Sequence, residues 1–172
     1  ANVGAYGIDG SFSTFIGQVE NKNTKSFLII GDLSFLYDAN ALKIPKIGSN
    51  IRIAVINNYG GGEFYNSYMD SPIEDISLHI AAGHKSEISA LLDTNIFEYH
   101  SIRNQNELND IIPKFVSDNL EKPMIIEIFT NISNDANTLN KFYKMNWNCK
   151  KSTMYKNKIK GILWRIKNIV KK

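Results

Sequence analysis

Short apolar runs alternate along the chain with stretches whose apolar residues recur at helical spacing. Three continuous runs rich in β-branched residues, each ending in glycine or polar positions, occupy residues 26–30, 51–56 and 123–129. Continuous runs of this length are typical of strands buried on both faces of a parallel sheet. Residues 97–102 alternate apolar and polar positions, and this pattern predicts a strand nearer the edge of the sheet.

Segments with helical periodicity precede, separate and follow these runs. It predicts helices over residues 11–20, 34–42, 83–93, 104–119 and 134–144, with a long loop after the second strand and a kink at Pro113. Strands and helices therefore alternate in the order expected of βαβ units. We expect an α/β fold, a three-layer sandwich with a mostly parallel central sheet.

The composition is that of an ordinary globular chain. Of 172 residues, 43% are hydrophobic and 22% charged, and no apolar run approaches the roughly 20 residues that span a bilayer. A single cysteine, Cys149, excludes an internal disulfide framework and favours a reducing compartment, so we expect a cytoplasmic protein. The chain begins with Ala1 and lacks the pattern of a signal peptide, which suggests a fragment, a processed chain or one subunit of a split enzyme.

Charge divides the chain into two parts. Residues 1–143 contain 10 basic and 17 acidic side chains, whereas residues 144–172 contain 10 basic side chains and no acidic one. We therefore expect a domain over 1–143, lacking part of its N-terminal side, and a basic tail over 144–172. Aliphatic residues at helical spacing within 155–170 predict an amphipathic tail helix. Docking on the acidic body or on another subunit is favoured over an anionic membrane, and nucleic acid is not an expected partner.

Two predicted strands end in chemically distinctive sequences. Gly31-Asp32-Leu33-Ser34 follows the first run, and Asn57-Asn58-Tyr59-Gly60-Gly61-Gly62 follows the second. Asp32 and Asn58 are 26 positions apart, about the length of one βαβ unit. Because ligands bind at the carboxyl ends of parallel strands, the two sequences can converge on one site.

These strand ends offer hard oxygen ligands and backbone N–H groups. A carboxylate, an amide oxygen and turn carbonyls suit Mg²⁺ or Ca²⁺, and Mg²⁺ is commonly held by few carboxylates together with phosphate oxygens. The glycine turn and the start of the helix at Ser34 offer N–H groups to phosphate. Either sequence alone is common in the turns that follow strands. Three consecutive glycines favour a function, so the pattern predicts a Mg²⁺–diphosphate site.

The same residues resemble a known motif. Gly31-Asp32 followed by Asn57-Asn58 resembles the thiamine-diphosphate motif, with Leu33 where most of that superfamily has glycine. Together with segments 7–14, 31–42 and 55–64, it resembles the C-terminal, diphosphate-binding domain of the menaquinone-pathway succinyl-enolpyruvyl-hydroxycyclohexene-carboxylate synthase family. The resemblance covers residues 2 to about 143, and segment 125–142 is similar to the last strand and helix of that domain.

The resemblance implies a thiamine-diphosphate-binding fold and a set of site residues. Its implied Mg²⁺ ligands are Asp32, Asn58 and the carbonyl of Gly60. Its implied cofactor contacts also include Leu33 and Ser34 at the diphosphate, Ile8 beneath the bent cofactor, and Gly61 and Phe64. No catalytic residue is expected in this chain, because the activating glutamate of the superfamily lies on a separate pyrimidine-binding domain. The sites lie between subunits, so a homo-oligomer is expected.

The implied activity is that of a thiamine-diphosphate-dependent 2-oxoacid decarboxylase or carboligase, a transferase or lyase that is inactive as this chain alone. Val3 stands where the synthases have a substrate-binding arginine, and Glu63 stands where they are usually apolar. These departures favour a paralogue with another substrate, in surface-polysaccharide biosynthesis. The alternative is a non-enzymatic regulatory module that binds a nucleotide or phosphate. His79 and His84 are interpreted as polar helix positions, and none of the three histidines, His79, His84 and His100, is expected to be a metal ligand.

Overall fold

A parallel sheet forms the centre of the protein. The computed structural model describes residues 7–20, 22–45, 47–65 and 73–147. Within these ranges the strands are β1 (Ser26–Gly31), β2 (Ile51–Asn57), β3 (Glu98–Ile102) and β4 (Met124–Phe129). Their spatial order is β1-β2-β4-β3, and every neighbouring pair is parallel. The predicted α/β class with a parallel sheet is confirmed.

Helices and short 3₁₀ turns connect the strands. The helices are α1 (Ser11–Val19), α2 (Asp32–Tyr37), α3 (Ile73–His79), α4 (Gln105–Phe115) and α5 (Ile132–Trp147). The 3₁₀ turns cover Ala39–Lys43, Gly62–Tyr65 and Ile88–Leu91. None of the helices in the described ranges is long and apolar enough to cross a membrane.

Alternate residues of the central strands pack into two separate cores. Ile53, Val55 and Ile125 point to one face of the sheet, where they meet α1 and α2 through residues such as Phe12 and Phe35. Ala54, Met124 and Ile126 point to the other face, where they pack against the apolar side of α4. Helix layers thus cover both faces of the sheet, and the three-layer arrangement follows from the period-two alternation of the strands.

One strand departs from its expected burial. The apolar run of β1 predicted burial on both faces, but Phe27 is 48% exposed and Ile29 is 77% exposed. Within the described residues β1 pairs only with β2 and lies at the edge of the sheet, where the ring of Phe27 meets that of Phe115, the last residue of α4, at 5.8 Å between centroids. The expectation was therefore wrong for β1, whereas β3 lies at the opposite edge as predicted.

The helix predicted over 34–42 is interrupted. It begins earlier, at Asp32, ends at Tyr37 and is followed by the 3₁₀ turn Ala39–Lys43. The break falls at Asp38, whose carboxylate accepts hydrogen bonds from the backbone N–H of Ser13 at 2.6 Å and from its hydroxyl at 2.9 Å. This contact with α1 holds Asp38 outside helical geometry, and local periodicity does not encode it.

The helix predicted over 83–93 is wrong. This segment is mostly irregular, with a single 3₁₀ turn at Ile88–Leu91, while α3 lies in the region predicted as a loop. The backbone N–H of His84 donates to the carbonyl of Tyr59 at 3.0 Å, and that of Ile88 donates to the Glu127 carboxylate at 3.1 Å. Tertiary hydrogen bonds have therefore replaced the helical ones.

The remaining helix predictions are confirmed with shifted ends. α4 begins after Asn104, whose side chain accepts from the N–H groups of Asn106 and Glu107, and it ends two residues after Pro113. α5 runs beyond both ends of the predicted 134–144. The substitution at Val3 and the predicted tail helix within 155–170 lie outside the described residues.

Candidate functional site

The ends of β1 and β2 meet at the carboxyl edge of the sheet. Asp32 opens α2 directly after β1, and Gly60 lies in the turn after β2. The backbone N–H of Gly60 donates to Asp32 Oδ2 at 3.1 Å, and that of Leu33 donates to Oδ1 at 2.7 Å. Asp32 is only 3% exposed. Two strand ends that are distant in sequence thus share one buried carboxylate, as the topology of parallel strands requires.

A histidine also contacts this carboxylate. His84 Nε2 lies 3.2 Å from Asp32 Oδ2. The N–H of Ser86 donates to Nδ1 of the same ring at 3.1 Å, so Nδ1 is the acceptor and Nε2 carries the proton that points to Asp32. His84 does not lie in a helix, so its interpretation as a polar helix position is wrong.

The turn after β2 is held in an unusual backbone conformation. Tyr59 has a positive φ of 64°, which is uncommon for a residue with a side chain. Asn57 Oδ1 accepts from the N–H of Tyr59 at 3.0 Å, and the N–H of Gly61 donates to the carbonyl of Ala81 at 2.7 Å. A Cβ on Gly60 would lie 3.0 Å from that same carbonyl, so the turn has little room for a side chain there.

The side-chain amide of Asn58 has a hydrogen-bond partner at its nitrogen but none at its oxygen. Its amide Nδ2 donates to Asp135 Oδ2 at 3.1 Å, and the hydroxyl of Thr130 donates to the same oxygen at 2.6 Å. Its amide oxygen, Oδ1, is buried and has no hydrogen-bond partner, the one such side-chain atom among the described residues. A buried acceptor without a partner is costly, and such an atom at a strand end indicates a place for a ligand.

A buried carboxylate behind the turn fixes the end of β2. Glu127, on β4, is fully buried and accepts from Asn57 Nδ2 at 2.6 Å, from the N–H of Ile88 at 3.1 Å and from the hydroxyl of Tyr99 at 2.5 Å. Burial, together with the hydrogen bond to Glu127, raises the pKa of Tyr99 well above its ordinary value. Three donors therefore satisfy the Glu127 carboxylate without a cation.

The donor set at the strand ends fits a hard cation. Asp32 supplies a carboxylate, Asn58 an unpartnered amide oxygen, and Gly60 a carbonyl that already accepts from the N–H of Gly62 at 3.1 Å. Oxygen atoms of these kinds are the ligands of Mg²⁺. Within the described ranges, no group of three or more His, Cys, Asp or Glu side chains could hold a metal ion, so the amide and the carbonyl are essential to this set.

Two of the backbone N–H groups expected to face a diphosphate already donate hydrogen bonds within the protein. That of Leu33 is bonded to Asp32, and that of Gly61 is bonded to Ala81. Ser34 is partly buried in the first turn of α2, Ile8 is 41% exposed just before α1, and Phe64 is 43% exposed in the 3₁₀ turn Gly62–Tyr65. Asp32 and the glycine turn are thus brought together, while Ile8 and Phe64 present accessible apolar surface.

The sequence patterns missed several side chains that support this arrangement. His84 contacts Asp32, and Glu127 accepts from Asn57. Asp135 accepts from both Asn58 and the hydroxyl of Thr130. Thr130 and Asp135 follow β4, so the rule applied to the first two strand ends would have found them at the third. His84 offers no comparable signal, because it reaches the site from an irregular segment.

Fold and site together define an α/β protein with a set of oxygen donors at the carboxyl ends of its strands. No protein-family model matches the chain. Curated relatives do match. The 2-succinyl-5-enolpyruvyl-6-hydroxy-3-cyclohexene-1-carboxylate synthases of Bacteroides fragilis and Phocaeicola vulgatus are each 36% identical over 144 residues, and that of Bacteroides thetaiotaomicron is 34% identical.

Each of these alignments covers 83% of this chain but only 26% of the relative, so the chain spans about a quarter of the length of the synthases it matches. The chain is homologous to this synthase family over most of its own length, which confirms the resemblance found in its motifs.

Proposed function

We propose that the chain binds thiamine diphosphate through Mg²⁺ as the cofactor-binding domain of a thiamine-diphosphate-dependent enzyme. The orphaned oxygen of Asn58, beside a turn whose Gly60 N–H binds the buried carboxylate of Asp32, is the observation that carries the proposal. The similarity to the synthases supports the same cofactor, because the matched region includes both strand ends.

In this proposal the protein supplies binding and orientation. Asp32, Asn58 and the Gly60 carbonyl hold Mg²⁺, the first turn of α2 at Leu33 and Ser34 faces the diphosphate, and Ile8 packs beneath the cofactor. When bound, thiamine diphosphate supplies the carbon nucleophile for decarboxylation of a 2-oxoacid and transfer of the remaining fragment. The chain is accordingly part of a transferase or lyase, a decarboxylase or carboligase.

Calorimetry on the purified chain tests cofactor binding. Thiamine diphosphate with Mg²⁺ is expected to bind, and ATP with Mg²⁺ is expected to bind much more weakly or not at all. Asp32→Ala is expected to abolish Mg²⁺-dependent binding, because one of few ligands is lost. Asp110→Ala, which removes an exposed acid from α4, is the control and should bind like the unmodified chain. Preferential binding of ATP would instead support the regulatory nucleotide- or phosphate-binding module.

We propose that this chain alone has no turnover. The resemblance implies that an activating glutamate comes from a pyrimidine-binding domain, and that the complete site forms between subunits of an oligomer. Purified chain supplied with thiamine diphosphate, Mg²⁺ and a panel of 2-oxoacids should therefore release no carbon dioxide above the protein-free rate. Steady release of carbon dioxide would refute this proposal.

We also propose that the substrate differs from that of the synthases, in a pathway of surface-polysaccharide synthesis. The support from the structure is Glu63, which is exposed in the 3₁₀ turn after the glycines, where an apolar residue is expected. A carboxylate there disfavours an anionic substrate. An active assembly containing this chain should prefer acceptors other than the synthase substrate, and Glu63→Leu should reduce that preference. Full activity on the synthase substrate would overturn this proposal.

A further inference from the structure

Asn58 can present either end of its amide to the site, and the structure shows what chooses between them. The Nδ2 end faces Asp135 Oδ2 at 3.1 Å. The same carboxylate oxygen accepts the hydroxyl of Thr130 at 2.6 Å. A carboxylate that already accepts one hydrogen bond can attract only another donor, so the amide must turn its N–H toward Asp135 and its oxygen away.

The surroundings of the amide leave it little freedom. A Cβ on Gly62 would lie 3.0 Å from Asn58 Nδ2, so the glycine provides the space that the NH₂ group occupies. Asp135 is itself fixed in the first turn of α5, where its backbone N–H donates to the carbonyl of Asn131 at 2.9 Å. The N–H of Thr130 donates to the carbonyl of Asn57 at 3.0 Å and ties the end of β4 to the end of β2.

The opposite end of the amide is left without a protein partner. Asn58 Oδ1 is buried and unsatisfied, and it belongs to the residue that follows β2 at the edge where Asp32 and Gly60 meet. Holding a polar atom in that state costs free energy unless a ligand binds it. The NH₂ group cannot ligate a cation, so the direction of the amide decides whether Asn58 is a ligand at all.

We propose that Asp135, anchored by Thr130, is a positioning residue that sets the amide of Asn58 so that its oxygen faces the cation. This inference rests on the proposed Mg²⁺ site and deepens it. Asp135 itself is not a ligand in this arrangement: its Oδ2 is occupied by the two donors, and its role is performed through Asn58. The acceptor at position 135, not its negative charge, is the required property.

Binding of Mn²⁺ to the full chain in the presence of thiamine diphosphate, followed by electron paramagnetic resonance, tests this without any turnover. Asp135→Ala is expected to weaken Mn²⁺ binding by about 10- to 100-fold, the usual effect of losing a group that orients a metal ligand. Asp135→Asn keeps an acceptor oxygen and should retain affinity within about threefold, well below that loss. Thr130→Val should produce an intermediate loss, and Asp110→Ala controls for the loss of one negative charge.

Each result has a distinct meaning. If the unmodified chain binds no Mn²⁺, the proposed function fails and this inference fails with it. If the unmodified chain binds Mn²⁺ and a folded Asp135→Ala variant binds equally well, only the positioning role is overturned. It is also overturned if Asp135→Asn loses as much affinity as Asp135→Ala, because charge would then be the required property. Should Asp135→Ala not fold, Thr130→Val decides, and unchanged affinity in that variant refutes the role.

Discussion

At the scale of single residues, Gly62 is a position where an added Cβ would crowd a side chain of the candidate site. A Cβ there would lie 3.0 Å from Asn58 Nδ2 and 3.6 Å from Ile132 Cγ1. Gly62→Ala must therefore push the Asn58 amide away from its place beside Asp135. We expect the variant to fold and to weaken Mn²⁺ binding by about tenfold, as for other losses of ligand orientation, measured by the same resonance titration.

Gly17 provides the matched control for Gly62. It lies exposed in α1, and a Cβ added there meets nothing within 4 Å. Because glycine in a helix is less favourable than alanine, Gly17→Ala should raise the free energy of unfolding by about 0.5–1 kcal/mol, measured by urea denaturation. Its Mn²⁺ affinity should not change. Equal Mn²⁺ affinities for Gly62→Ala and Gly17→Ala would show that the space beside the amide is unimportant.

At the scale of secondary structure elements, hydrogen bonds to the Glu127 carboxylate join β4, β2 and β3 with the first residue of the 3₁₀ turn Ile88–Leu91. Tyr99→Phe removes one of three donors to a fully buried carboxylate. The expected cost at neutral pH is about 1–3 kcal/mol in the free energy of unfolding. Tyr37→Phe, at a tyrosine that is 62% exposed, is the control and should cost little.

The hydrogen bond between Tyr99 and Glu127 predicts that the free energy of unfolding depends on pH. The pKa of Tyr99 is raised in the folded state, first by burial and then by its hydrogen bond to Glu127. Folding therefore favours the neutral phenol, and this stability is complete below the ordinary pKa of 10.0 and is lost as pH rises above it toward the folded pKa. The difference in unfolding free energy between the unmodified chain and Tyr99→Phe should shrink above about pH 10. A constant difference would contradict the assignment.

The secondary structure elements also show which parts of the fold the sequence patterns could predict. The strands and their parallel pairing follow from apolar runs separated by helical segments, and the meeting of Asp32 with the glycine turn follows from the rule of strand ends. The segment 83–93 was mispredicted because its hydrogen bonds go to Tyr59 and Glu127, which are far away along the chain. Periodicity records burial, not the identity of such partners.

The partners of the site residues were the hardest part to predict. Asp135 lies 77 positions from Asn58, and His84 lies 52 positions from Asp32. Such pairs form only when the sheet brings its strand ends together. The rule of strand ends could have indicated Asp135 after β4, but not that Asn58 is its partner, and no local pattern marks His84. The exposure of Ile29 was missed for a related reason, since a run of apolar letters does not tell whether a helix covers the second face of an edge strand.

At the scale of the whole molecule, charge separates the sheet domain from the tail. Residues 1–143 carry an excess of acidic side chains, and the 10 charges of residues 144–172 are all basic. The site lies within the acidic part, at the ends of β1 and β2. Attraction between the two parts, within one chain or between subunits, is expected to weaken as salt screens it.

Removal of residues 150–172 tests the role of the tail. The segment carries aliphatic residues at helical spacing, which exposed together would form a patch that soluble monomers rarely tolerate. Isolated helices of this length are marginal in water, so we expect the segment to fold only against a surface, and the acidic domain or a second subunit is the surface that charge favours. The shortened chain should lose oligomerisation or solubility at low salt and keep its affinity for Mg²⁺ and thiamine diphosphate. Light scattering and calorimetry measure the two properties on the same sample. If the oligomeric state survives the deletion while the intact chain binds anionic vesicles, a membrane surface replaces protein as the partner of the tail.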